Sequence, residues 1–328
     1  MMKYFRYELK KNSIALLFFT LMSTVIYVIS VMIDSRSGDN RNTYTYFPVM
    51  LLFLFCTVVP IMVFSFKMNP RCVDEFYSLP IRREKLYLVH SLVGLCLVFI
   101  PYTVAYWAGF LAIALTHSFN IVMYLPLFFA SVPLGVLLFG TNAFAFTRAN
   151  KVFDGFVFMG LYSCVLLFPV LYCAFLFGAF DSGIFAWTTY GPINVTFSAF
   201  DDLIRGGNYF SSNGLLWAGI IVMALAGCAC WFGLFFSQRF EKAENAGQVS
   251  TSWFGYKTLL PFYLCFLTAV MPLDVLLIGY YFAMLIVVFV GNVIYRRTFM
   301  LPLRDIIVLI GALVIGLAMS GILRAVVF

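Results

Sequence analysis

Apolar runs long enough to cross a bilayer recur along this chain, and Lys and Arg gather in alternate gaps between them. A helix needs about 20 residues to span the hydrocarbon layer. Nine runs reach or approach that length: 13–33, 46–66, 91–116, 121–146, 155–180, 215–236, 257–272, 274–294 and 305–327. Only 11% of the 328 residues are charged and 63% are hydrophobic, whereas soluble domains carry about 25% charged residues. No water-soluble core absorbs that much apolar side chain. The pattern predicts an all-α polytopic membrane protein with about nine transmembrane helices, since a lipid-facing backbone must satisfy its own hydrogen bonds. The stretch Leu259–Ile294 is too long for one crossing at about 1.5 Å per residue, and Pro272-Leu273-Asp274 is the natural turn inside it. The first run is too long for a signal-peptide core and lacks a small-residue cleavage pattern.

Charge sets the expected orientation. With the N-terminus inside, only Arg36, Arg41, Arg205 and Arg324 of the 21 basic residues fall outside. The expectation is a multi-pass protein of the cell membrane with a cytoplasmic N-terminus. The net charge of +7 then marks the inner membrane face, and nucleic acid is not an expected partner. The eight cysteines lie mostly inside apolar runs and read as free thiols. Cys228 and Cys230, two apart on a helix, point in different directions.

Chemistry-bearing residues are scarce. Gly135 and Gly140 have the spacing of a phosphate loop, but Thr141 stands where the lysine must be. The two histidines, His90 and His117, fall on opposite sides of the membrane, so no metal site or cofactor site is expected. His90 reads as an interfacial residue at the start of the third span. Ionisable groups within the spans are almost absent, with Asp274 and Asp305 at span ends. That weighs against a proton-coupled transporter. Asn142, Ser163, Thr268 and Asn292 read as helix–helix glue, and the small residues of 215–228 and 311–321 suggest close packing.

One short segment breaks the apolar pattern: Cys72-Val-Asp-Glu-Phe-Tyr-Ser-Leu-Pro-Ile-Arg-Arg-Glu-Lys-Leu-Tyr-Leu-Val-His90. Pro80 disfavours helix at Leu79 and removes a backbone donor. A short helix before it and a second one running into the third span make an elbow. Phe76, Tyr77, Leu79 and Leu86 are expected against the inner membrane face. Asp74, Glu75, Arg82, Arg83, Glu84 and Lys85 are expected to face water. The segment is either a solvated loop or a structured docking element for a soluble partner, and its short length and mixed charge favour docking. The outer segment 181–214 is rich in aromatics, among them Trp187, Tyr190, Phe197 and Phe200. It forms either short amphipathic or re-entrant helices at the interface, or an ordinary aromatic belt.

The run Phe76-Tyr-Ser-Leu-Pro-Ile-Arg-Arg83 resembles the ABC-2-type permeases, transmembrane subunits of bacterial ATP-binding-cassette exporters. That family carries a Leu-Pro-(Val/Ile)-(Ser/Thr)-Arg motif between its second and third spans. Arg82 here replaces the family's Ser or Thr, at a position that would cap the second helix. The stretch Arg239-Phe-Glu-Lys-Ala-Glu-Asn-Ala-Gly247 is similar to a second family stretch after the sixth span. The resemblance covers roughly residues 1–250. It implies a six-helix exporter-type core over 1–240, with an N-terminal interfacial helix and a coupling helix. Residues 241–328 become a linker with three additional C-terminal helices. It implies ATPase coupling by Asp74, Glu75, Phe76, Tyr77, Pro80, Arg82, Arg83, Glu84 and Lys85, and an outer gate region around Trp187, Tyr190, Phe197 and Phe200. The implied partners are ATP-binding-cassette ATPase subunits, which would hold the ATP and Mg, and a second permease, identical or paralogous. An apolar pathway suits hydrophobic or amphipathic cargo such as a peptide, an antibiotic or a lipid-like molecule. Two other classes compete: a membrane enzyme acting on lipid or an isoprenoid-linked substrate through Asp201-Asp202 or Asp74-Glu75, and a non-catalytic membrane sensor or assembly subunit.

Overall fold

A computed structural model describes residues 2–37, 41–78, 81–116, 121–165, 172, 214–238, 246–248, 250, 252, 254–270, 278–296, 299 and 302–327. Among them the structure is helices joined by turns and bends, with no strand. The helices are α1 (Met2–Lys11), α2 (Ser13–Ser37), α3 (Arg41–Phe64), α4 (Pro70–Tyr77), α5 (Arg83–Thr116), α6 (Ile121–Thr147) and α7 (Val152–Cys164). They continue as α8 (Gly214–Ser237), α9 (Tyr256–Val270), α10 (Ile278–Arg296) and α11 (Leu303–Val327). A single 3-10 turn, Ser65–Met68, joins α3 to α4. Among the described residues, five segments are long and apolar enough to cross a membrane: Ser13–Ile33, Phe47–Met68, Arg83–Leu115, Leu127–Thr147 and Leu303–Leu323. This fits a multi-pass helical membrane protein. The gap 117–120 between the third and fourth apolar runs, the turn expected at 272–274 and the whole of 181–213 lie outside the described residues.

By packing, the chain divides into two compact units, Met1–Thr147 with Val195–Ala246 and Arg148–Asn194 with Gly247–Phe328. In the first, α5 packs against α2 and α3, and α6 packs against α3 and α8. Between apolar helices in lipid, close packing replaces the hydrophobic drive that acts in water. Glycines make the approach possible. A side chain at Gly109 of α5 would collide with the Tyr27 ring of α2, which also stacks on Phe47 of α3 at 4.7 Å. One at Gly140 of α6 would collide with the Trp231 indole of α8. Asn142 of α6 donates to the Cys56 carbonyl of α3 at 3.0 Å, so it does join two helices. The other bare face of α2 (Leu17, Phe18, Leu21 and Val25 exposed) is suited to lipid tails.

In the second unit α11 packs on α9 through Leu264, Val288 and Ala312, with Val288 supplied by α10. Thr268 bonds to its own helix at the Leu264 and Cys265 carbonyls, 2.9 and 2.8 Å away, and fills the space that a side chain at Gly316 would need. Gly311 and Gly321 have nothing within 4 Å of a would-be side chain. Of the three glycines in 311–321, only Gly316 is therefore a packing notch. Ser163, expected as glue, bonds only to Met159 of its own helix, 2.8 Å away. Cys56, Cys72, Cys96, Cys228, Cys230 and Cys265 are free, and of these six only Cys56 is buried.

Candidate functional site: the elbow at residues 65–90

Pro70 sits at the first position of α4, where its missing N–H costs nothing and its fixed φ suits a helix. Asn69 precedes it, extended at φ −100° and ψ 114°, and its carbonyl accepts from the Val73 N–H at 3.0 Å. The helix ends at Tyr77, and the next begins at Arg83. Leu79 and Pro80 lie outside the described residues. Helix, break and helix thus follow in the expected order. Arg82 holds the N-cap position of α5: its carbonyl accepts from the Lys85 and Leu86 N–H groups, at 2.9 and 3.1 Å. Glu84 in the first turn suits the positive end of the helix dipole.

The inner side of the elbow is an aromatic cluster drawn from three segments. Phe66, in the 3-10 turn, lies 4.5 Å from Phe76 of α4 and 4.5 Å from His90 of α5, centroid to centroid. Phe76 and His90 meet edge to face at 5.6 Å. Tyr87, one turn before His90, stacks on Phe64 at 5.9 Å. Two contacts from α1 close the cluster: the Lys11 ammonium stands 5.3 Å over the Phe76 ring, and the Tyr4 hydroxyl lies 3.3 Å from His90 Nε2. A fourth attachment runs to α6, where the buried Lys67 ammonium donates to the Thr147 carbonyl. A cation at the carbonyl end of a helix is favourably placed.

His90, at the start of the α5 membrane-length segment, is 3% exposed, with Phe66, Phe76 and Tyr4 around it. Phe76 is half-buried in the cluster and Leu86 is buried. Arg82, Arg83, Glu84 and Lys85 are exposed, as expected. Asp74, Glu75 and Tyr77 lie on α4, but their side chains are outside the described residues, as are Pro80 and the outer-gate candidates Trp187, Tyr190, Phe197 and Phe200. Of the stretch 239–247, Gly247 is described. It takes a left-handed φ of 76°, which suits glycine, and donates its N–H to the Asn150 carbonyl at 2.9 Å. Sequence reasoning missed Phe66, Lys67, Tyr87 and His90. The spacing of Tyr87 and His90, three apart on one helix, was the signal that pairs them on one face.

An eight-residue helix is tied through Phe76 to α5 and α1, while Arg82 before α5 and Arg83, Glu84 and Lys85 in its first turn make four consecutive exposed charges. Among the described residues, no three His, Cys, Asp or Glu side chains gather as a metal site. No family model, curated protein or solved structure matches the chain.

Proposed function

We propose that the chain is the transmembrane permease subunit of an ATP-driven exporter of the ATP-binding-cassette type. The observation that carries the reading is the elbow: a short helix and a membrane-length helix, separated by a break, with exposed charges at the break and buried aromatics behind it. A push on Arg82, Arg83, Glu84 and Lys85 reaches α5 directly, because three of them are its first turn. It reaches α1 through Phe76 and His90. In this reading the elbow docks on a separate ATPase that holds ATP and Mg, nine helices cross the membrane, and the N-terminus is cytoplasmic. Residues around Trp187, Tyr190, Phe197 and Phe200 belong to the outer gate. A second permease, identical or paralogous, completes the pathway for hydrophobic or amphipathic cargo.

Co-expression with a cognate ATP-binding-cassette ATPase is the test. The expected result is a complex that hydrolyses ATP, while the chain alone does not. Arg83→Glu and Glu84→Lys should leave the complex folded but separate hydrolysis from transport. Transport by the chain alone in liposomes, or full coupling in both charge-reversal variants, would defeat the proposal.

A further inference from the structure

The C-terminal helices of the second unit surround a cavity of about 370 Å³. It lies where α9 begins, α10 ends and α11 begins. Lys257 from α9 and Arg304 from α11 line it, both exposed, with Asp305 as the carboxylate among the lining residues. The first turns of α9 and α11 both open on the space and add positive potential there, two N-termini against the one C-terminus of α10. The back wall is firm. Tyr256 and Tyr295 lie 5.1 Å apart as rings, and their hydroxyls are held elsewhere, by Asp154 Oδ1 at 3.3 Å and by the Ser250 carbonyl at 2.9 Å. The buried amide side chain of Asn292 adds a polar group to the lining.

One helical turn further along, the lining changes character to Leu260, Pro261, Val308 and Leu309. The apolar surface continues outward, since Leu303, Ile307 and Val308 are all exposed. A cationic mouth above an apolar wall matches a phosphate group attached to a hydrocarbon chain. A free anion would use only the first half of that lining. The volume is of the size of ordinary small-ligand sites. We infer that this cavity binds the headgroup of an anionic phospholipid, with Lys257 and Arg304 on the phosphate and the acyl chains along Leu260 and Val308.

Native mass spectrometry of the full-length protein, released from detergent containing phosphatidylglycerol, phosphatidylcholine or inorganic phosphate, tests this. Phosphatidylglycerol should be retained above phosphatidylcholine. The Lys257→Ala/Arg304→Ala variant should weaken that retention about 30-fold, the equivalent of about 1 kcal/mol from each cation. Should that variant fail to fold, Lys257→Gln alone should weaken it about five-fold. Leu309→Trp, which fills the apolar wall, should also lower retention while keeping both cations. Equal retention of the two lipids, wild-type retention in folded cation variants, or displacement of the lipid by inorganic phosphate would each overturn the assignment. The last outcome would make the cavity a site for free phosphate.

Discussion

The two units solve the same packing problem in different ways. In the first, helices meet where a glycine admits a ring: Gly94 under Phe139, Gly109 under Tyr27 and Gly140 under Trp231. In the second, tyrosine hydroxyls reach backbone carbonyls: Tyr162 to Phe254 at 2.6 Å, Tyr172 to Met319 at 2.9 Å, Tyr295 to Ser250 at 2.9 Å, and Tyr263 to Leu161. Apolar helices in lipid gain little from hydrophobic burial against each other, so both shape and hydrogen bonding are available as glue. The two devices fail differently. A glycine notch is broken by any added volume. A tyrosine bond survives changes in neighbouring volume and is broken by loss of one oxygen.

Gly140→Ala should therefore be strongly damaging in the first unit. The added methyl falls on the Trp231 indole, which cannot retreat without stretching its Nε1 bond to the Val136 carbonyl, now 3.0 Å. Overpacking plus a weakened bond should cost about 3 kcal/mol, read as a lower midpoint of thermal unfolding in detergent. Gly311→Ala in the second unit meets nothing within 4 Å and should change stability by less than about 0.5 kcal/mol. Similar losses in both variants would show that close contact at the glycine is not what sets the cost.

Ser250→Ala comes next and probes the second unit. Ser250 is buried, its hydroxyl donates to the Arg148 carbonyl at 2.7 Å, and its own carbonyl accepts from Tyr295. Removing the hydroxyl leaves a carbonyl short of a donor and should cost about 2 kcal/mol. Tyr162→Phe removes a bond at an exposed site, where water can substitute, and should cost about 1 kcal/mol or less. If the two cost the same, burial is not what gives the hydroxyl network its strength.

Much of this contrast was hidden in the sequence for a physical reason. Run length finds a helix that crosses lipid, but these helices are apolar around most of their circumference, so no stripe shows which face is covered. Gly311, Gly316 and Gly321 looked alike as small residues. Steps of five residues turn a helix by about 140°, and only Gly316 meets a neighbour, Thr268. The elbow was legible because Pro80 and the mixed charges interrupt the apolar pattern. The cluster behind it was not. Phe66 and His90 belong to different segments, and nothing in either segment names the other. Lys67 fitted the expected inner band of basic residues, but its role as a cap on α6 depends on Thr147, 80 residues further on.

The smallest expected effect is also the most informative about the elbow. Arg82 occupies the N-cap of α5 and brings no side-chain acceptor to it, whereas serine there would accept a hydrogen bond from the Glu84 N–H. Arg82→Ser should raise stability by about 0.5 kcal/mol, with slower hydrogen exchange at the amides of residues 84–86. If the exposed charge serves docking, the same variant should weaken association with the ATPase and so lower coupled transport. Stability and coupling would then move in opposite directions. A substitution that improves the helix and impairs the complex separates the fold of the elbow from its use. If coupling rises together with stability, the arginine contributes nothing to docking, and the docking surface must be sought on α4.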